Sequence, residues 1–361
     1  MHWFFKVLIV LGLFGFFIVF ILFIRPKLLP IKQIINSEKY GIILQSERWG
    51  GVIRVTGDIL VVPGARIDVD PGTQILIVTS GDKSNMDLIP LHLKSGVNAE
   101  PEDIFGVMHG EPFYDEGQKI SLRFFKFYAK GTSQQPVILA SDTDTKSPYD
   151  INTIWINSGI LSNVKLASFR RLEIGPNVII SESSISDSGE CGVCILRGKP
   201  QVLNSIFNGT LRNYIWVERA SPLISGNTFL PTKGNGVVVN PKRFGSPKIL
   251  NNKFQLPGYS GVYFLEGGEK KGGEIASNFF AAGDITIPCD SKVSVTQNHI
   301  KSNLRFLKSG NCVGSITIGE NYWEVDSPEK IVNERVIEKE LDFTVNIKEV
   351  LKSPPKNAGE K

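Results

Sequence analysis

Four side-chain sets in this 361-residue sequence are of types that do chemistry. The first is the cysteines: Cys191 and Cys194 in "CGVC", and Cys289 and Cys312 far along the chain. A C-x-x-C pair invites a redox or zinc reading. Zinc needs further thiolate or imidazole ligands, and neither a second C-x-x-C nor a His at ligand spacing is present. A thioredoxin-type pair sits at a helix N-terminus, whereas "CGVC" runs into a strand-like "GVCIL". The second set is acidic. Residues 79–119 carry Asp82, Asp87, Glu100, Glu102, Asp103, Glu111, Asp115 and Glu116 beside His92 and His109. Such a set could bind Ca²⁺ or serve as acid and base, but its spacing fits no EF-hand or nonapeptide calcium repeat. A decorated surface loop is the simpler reading.

The third set is a column of amides. "PKILNNKF" (247–254) has sister segments in "PQVLNSIF" (200–207), "PLISGNTF" (222–229) and "GEIASNFF" (273–280). Their shared polar position falls at Ser183, Ser205, Asn227, Asn252, Asn278, Asn298 and Asn321, at spacings of 22, 22, 25, 26, 20 and 23. Three residues earlier stands an aliphatic, from Ile180 to Ile318, and two residues later a large apolar residue, from Ile185 to Trp323. Self-similarity at this period means stacked units, each too small to bury its own apolar face. Short strands without helical segments between them leave a parallel β-helix, one coil about 4.8 Å above the last. In that register Asn227, Asn252, Asn278, Asn298 and Asn321 read as a structural ladder of turn residues that tolerate left-handed backbone and bond up and down the stack.

The fourth set lies on the strand that follows each marker: "GVCIL", "NYIWV", "GVVVN", "GVYFL", "DITIP" and "NLRFL". Counted from each opening residue, alternation sends Tyr214, Trp216, Val237, Val239, Val262, Phe264, Ile285, Ile287, Leu304 and Phe306 inward. The outward set is then Cys194, Ile215, Val238, Tyr263, Thr286 and Arg305, apolar enough to suggest a binding face under a partner or sugar chain. Scattered surface hydrophobics are the plainer alternative. Cys289 and Cys312 each stand nine residues before a marker, which puts them on adjacent coils within disulfide reach. A stacked pair of thiols is equally compatible.

These elements resemble the right-handed parallel β-helix fold of the pectin-lyase-like superfamily. "VTGDILVVPGARIDVDPGTQILI" is similar to the first coils of its exported members, "FYAKGTSQQPVILAS" to their next coil, and "ENYWEVDSPEKI" to their usual close. The resemblance covers about 47–355. It implies fold more than activity, since the superfamily runs from polysaccharide lyases to inert surface proteins. Lyases of this type use clustered Asp for calcium with an Arg or Lys base, and the hydrolases use several Asp with Gly-His-Gly. Here His109 lies in "MHGEP", His299 reads as a surface filler beside Asn298, and Asp284, Asp290 and Glu266 are scattered.

The rest of the chain places these coils. Val7–Ile24, "VLIVLGLFGFFIVFILFI", is apolar throughout and about 27 Å long as a helix, a transmembrane anchor with Trp3 at one margin and Arg25 and Lys27 at the other. No A-x-A site follows, so a cleaved signal peptide does not fit. The organisation expected is a flank 1–6, an anchor 7–24, a linker 25–46, a β-helix 47–326 interrupted by 79–119, and a cap and disordered tail 327–361. A capping box from Asp326 to Glu329 around Pro328 starts the cap helix. Flanking charges lean slightly toward a cytoplasmic C-side, while an anchored β-domain is expected outside the cytoplasm. Net charge is +4 with no basic stripe among aromatics, which gives nucleic-acid binding no support. The reading is an all-β membrane protein, a scaffold or a glycan- or protein-binding module that needs no cofactor. The alternative is a polysaccharide lyase or glycoside hydrolase.

Overall fold

The computed structural model describes residues 30–80, 83, 119–240, 245–265, 272–307, 314–325, 327–338, 343–356 and 358–359. The run Val7–Ile24 and nearly all of 79–119 lie outside them. Among the described residues no helix is long and apolar enough to cross a membrane.

The chain winds into a parallel β-helix with three faces. The first sheet stacks Ile34, Trp49, Val69, Ala129, Leu161, Ile180, Val202, Ile224, Ile249, Ile275 and Val295 in one inward column. The second stacks Ile53, Ile75, Leu139, Leu166, Ile185, Phe207, Phe229, Phe254, Phe280 and Ile300. The third carries Val193, Ile215, Val237, Val262, Ile285, Leu304 and Val336. Every pairing is parallel, so each inward residue meets its equivalent one rung away. β-Branched and aromatic residues suit such a column because they pack on a pleated surface. Phe229, Phe254 and Phe280 stack with ring centroids 4.7 Å apart, the rung spacing itself.

The sharp corner between the first and second sheets needs one residue in left-handed backbone. That residue is Asn204 (φ 47°), Gly226 (71°), Asn251 (56°), Ser277 (56°) or Gln297 (56°), in each case the one before the marker. The expectation that the ladder asparagines take this conformation is corrected. Asn251 turns the chain, which frees Asn252 to point inward.

The stack begins earlier than expected. Lys32–Ile43, within the supposed linker, pairs in parallel with Glu47–Val61 and forms the lowest rung. The excursion at 79–119 leaves between the second and third sheets of one coil, after Gln74–Ile77 and before Leu122–Lys130.

At the far end, helix Pro328–Arg335 is capped by Ser327, whose hydroxyl accepts from Lys330 N. Pro328 fills the first helical position, so the cap falls at 327 and not at Asp326. Strands Val336–Glu338 and Phe343–Ile347 then continue the stack beyond the helix. The final segment, expected to be disordered, lies along the coils. Leu351 N bonds Asn321 O, and Ala358 is buried.

Candidate functional site

The amide column is a continuous hydrogen-bonded chain in the protein interior. Asn227, Asn252, Asn278, Asn298 and Asn321 are all buried. Each Oδ1 from Asn252 onward accepts both the backbone N–H and the Nδ2 of the Asn one coil below, at 2.9–3.0 Å. Each Nδ2 also donates to a carbonyl of the lower coil, as Asn252 does to Ile224 O at 2.9 Å. Ser205 and Ser183 extend the chain downward with hydroxyls in place of amides. Buried and saturated, the column has nothing to offer a ligand.

The outward set on the third sheet needs a correction at Ile215. Asn213 pairs with Asn235 and Cys191, so Tyr214 occupies the position held elsewhere by a glycine, Gly236. Ile215 therefore joins the inward column, and Trp216 stands outside between Cys194 and Val238. A one-residue slip exchanges the faces of a strand. The outer column reads Glu173, Cys194, Trp216, Val238, Tyr263, Thr286 and Arg305. Val238 and Thr286 are buried beneath their larger neighbours, and Thr286 Oγ1 meets Ser260 Oγ at 3.0 Å. Arg305 is tied to Asp284, which also accepts from Asn303. Trp216 and Tyr263 stay partly exposed on either side of the buried Val238.

Lower on the same face, sequence inspection missed a charged cluster in "FRRLEIG". Arg171 Nε contacts Glu173 Oε1 at 3.1 Å, and its Nη1 contacts Glu190 Oε2 at 3.4 Å. Arg170 Nε donates to Glu190 at 2.6 Å. Burial pushes the Glu173 carboxyl above the ordinary range, against the pull of Arg171 and Arg123. Two carboxylates on adjacent coils thus converge on one guanidinium, the kind of pairing that glycosidic cleavage also uses. Arg171 fills the space between them, and the Glu173 side chain is 6% exposed. No sugar ring can reach them, so the cluster is a structural ion network. Its signal in the sequence was charge at outward strand positions beside the cysteine pair.

Cys191 and Cys194 are joined by a disulfide. They bracket a bulge, since Cys191 and Cys194 pair with Arg171 and Glu173, only two residues apart. Cys289 is also disulfide-bonded, whereas Cys312 lies outside the described residues. His299, read as a surface filler, is buried. Its Nε2 lies 3.0 Å from Glu324, and its ring stacks on Phe279 at 4.6 Å. Of the other candidates, Glu266 and every carboxylate and His of the acidic insertion lie outside the described residues. Among the described residues no group of three or more His, Cys, Asp and Glu could hold a metal.

Among the described residues, the first sheet carries a groove open to solvent and about 520 Å³ in volume. Arg48, Asp68 and Tyr128 form its floor on three successive rungs. Arg66, Asp70, Pro71 and Lys130 form its rim. Arg66 Nε meets Asp68 Oδ2 at 3.1 Å, and Arg48 Nε stands 3.8 Å from Asp70. Exposed pairs of this kind contribute little to stability and exchange readily for a ligand. Asp68 lies in strand Ile67–Val69 and Asp70 directly follows it, about 7 Å away between Cα atoms. The outward alternation of "ARIDVDPG" was visible in the sequence. Tyr128 and Lys130 come from beyond the insertion, and no local pattern joins them to it.

Residues 152–280 match the family model of the right-handed β-helix region. No curated protein and no solved structure matches the chain.

Proposed function

We infer that this protein is a membrane-anchored, extracytoplasmic β-helix scaffold that binds an extended polar ligand, a polysaccharide or a surface protein, without turning it over. The observation that carries this reading is the groove of Arg48, Asp68, Tyr128, Arg66, Asp70 and Lys130. It offers a phenol ring for stacking and forked donors and carboxylates for hydroxyl groups. It lies across successive rungs, so a chain-like ligand can run along the stack. The anchor reading draws on the apolar run Val7–Ile24, and the extracytoplasmic placement on the single-anchor, all-β organisation.

A second reading, polysaccharide cleavage, draws on Asp68 and Asp70, two carboxylates that line the same groove. One experiment separates the two. Full-length protein in detergent is titrated with a polysaccharide panel while reducing ends and unsaturated products are monitored. Saturable binding without product, weakened at least tenfold in Tyr128→Ala, is expected. Steady product release that is abolished in Asp68→Asn or Asp70→Asn would establish the enzyme instead. Absence of binding to any glycan, with Tyr128→Ala also unchanged toward surface proteins, would remove the groove from consideration.

A further inference from the structure

The lowest rung, Lys32–Ile43, pairs only with Glu47–Val61 among the described residues. Its inward positions close the core from below. Ile34 and Ile43 are buried, and Lys39 reaches Glu47 at 2.8 Å, while the same carboxylate accepts from Trp49 Nε1. Its outward positions mix polar residues, Lys32, Gln33, Asn36 and Glu38, with apolar ones. Ile31, Ile35, Tyr40, Ile42 and Leu44 are exposed, with Ile35, Tyr40 and Ile42 more than half so at 60%, 55% and 53%. Ile35 stands on the first sheet and Ile42 on the third, opposite Gly50 and Leu60. Tyr40 and Leu44 take the corners on either side of Ile42. On the second sheet Glu38 bonds Thr56 and Lys83, and the exposed Val52 continues the apolar band from the rung above. The other large exposed hydrophobics, Tyr149, Ile206, Leu211 and Tyr259, are scattered.

The geometry points to a lipid bilayer as the partner of this collar: the lowest rung rests in the headgroup–acyl boundary of the membrane that holds Val7–Ile24. The inference rests on the anchor reading above. The exposed apolar residues lie at one height on the first and third sheets and the corners beside the third, with Asn36 and Glu38 on the remaining side, so the apolar surface belongs to the end of the stack nearest Val7–Ile24. A second copy pairing along the free edge of Lys32–Ile43 would use its backbone and leave the outward side chains in water. The connection is short, because seven residues from Ile24 to Ile31 span at most about 25 Å when fully extended. Tyrosine among aliphatics is the composition of a membrane interface. One rung above, on the second sheet, Arg54 holds a half-exposed guanidinium group, paired with Asp142, at the level of lipid phosphates.

The test uses the full-length chain in phosphatidylcholine–phosphatidylglycerol nanodiscs. Ile35→Cys and Ile42→Cys are labelled with an environment-sensitive fluorophore, and Ile206→Cys serves as control. Ile206 lies five rungs above Val52, about 24 Å at ~4.8 Å per rung. No described native cysteine is free to compete for label. Labels at 35 and 42 are expected to shift to the blue, to lose quenching by aqueous iodide and to gain quenching by nitroxide lipids, with 206 unchanged. Labels as water-exposed as at 206, or shielded only as protein concentration rises, overturn the inference, the second outcome identifying a copy–copy interface. Alkaline extraction reads the anchor separately. If it releases the chain, the anchor reading fails, and flotation of the released chain with vesicles of the same lipids decides the collar. Flotation lost in the Ile35→Asp, Ile42→Asp double variant upholds it, and failure of the unaltered chain to float overturns it.

Discussion

Asn252→Ala is the sharpest test of how this stack is held together. The Asn252 side chain donates to Ile224 O and Asn278 Oδ1 at 2.9 and 3.0 Å, and accepts from Asn227 N and Nδ2 at 2.9 and 3.0 Å. Two of these partners keep other bonds. Asn227 Nδ2 still reaches Val202 O, and Asn278 Oδ1 still accepts from Asn252 N. The Asn227 N–H loses its partner inside a region closed to water, whereas the Ile224 carbonyl lies in strand Leu223–Ser225, whose ladder with Lys248–Leu250 is untouched. At ~1–3 kcal/mol for a stranded buried group, the loss is about 2 kcal/mol. Asn252→Ser should cost about half of that, because a hydroxyl can take the N–H as Ser205 Oγ takes Ser183 N. Long repeat arrays do not unfold in one step, so the readout is native-state hydrogen exchange at the flanking strands Leu223–Ser225 and Lys248–Leu250. Protection there should fall by roughly thirtyfold in the Ala variant, at about tenfold per 1.4 kcal/mol. A fall under about threefold, or a Ser variant as damaged as the Ala variant, would refute the account of the ladder as the main polar support of these coils.

Three further outcomes follow from single residues. Glu173 holds its proton in the folded state at pH values where the unfolded chain has lost it, so stability falls as pH rises from the ordinary carboxyl range through its raised value. Glu173→Gln should flatten that part of a urea-midpoint-versus-pH curve, and an unchanged slope would show that another group is responsible. Burial pushes the Tyr214 phenol up to about 12, so its contribution is complete below the ordinary tyrosine value and is lost as pH rises toward 12. Ultraviolet titration should show one late tyrosine that disappears in Tyr214→Phe, a variant that also costs about 1 kcal/mol through the bond to Leu230 O. An unaltered titration curve in the variant would contradict the assignment. Gly159 has φ 151°, and a Cβ there would stand 1.8 Å from Phe127 O. Gly159→Ala should cost about 4 kcal/mol or more, and a wild-type thermal midpoint would show that the strands can part there freely.

Most of the architecture was legible because a stacked fold repeats its demands. Each coil must supply an aliphatic, a polar corner residue and a large apolar residue at the same places, so seven weak signals add into one. The errors have a common cause in positions where two neighbouring residues compete for one role. Asn251 and Asn252 are chemically alike, and only the backbone shows that the first turns left-handed while the second bonds the stack. Asn213 and Tyr214 were separated wrongly because glycine opens the sister strands. The ring of Tyr214 finds room over Phe207 and Phe229, which lets it stand in the glycine's place. Strand Lys32–Ile43 was hidden because Ile35, Tyr40 and Ile42 point outward beside the inward Ile34 and Ile43, which blurs the alternation that marks a buried strand.

The sequence by itself determined the period, the inward columns of the first two sheets from Ile180 and Ile185 upward, the ladder and the parallel stacking. Those properties depend on residues about 22 apart meeting the same neighbours, and a repeat records that directly. Tertiary structure alone decided the site. Arg48, Asp68 and Tyr128 are distant in the chain and share a groove because winding brings them one rung apart. Arg171 is locked between two glutamates for the same reason. Whether an outward charge is exposed or buried depends on what the next coil sets beside it, which is a property of the stack and of no single segment.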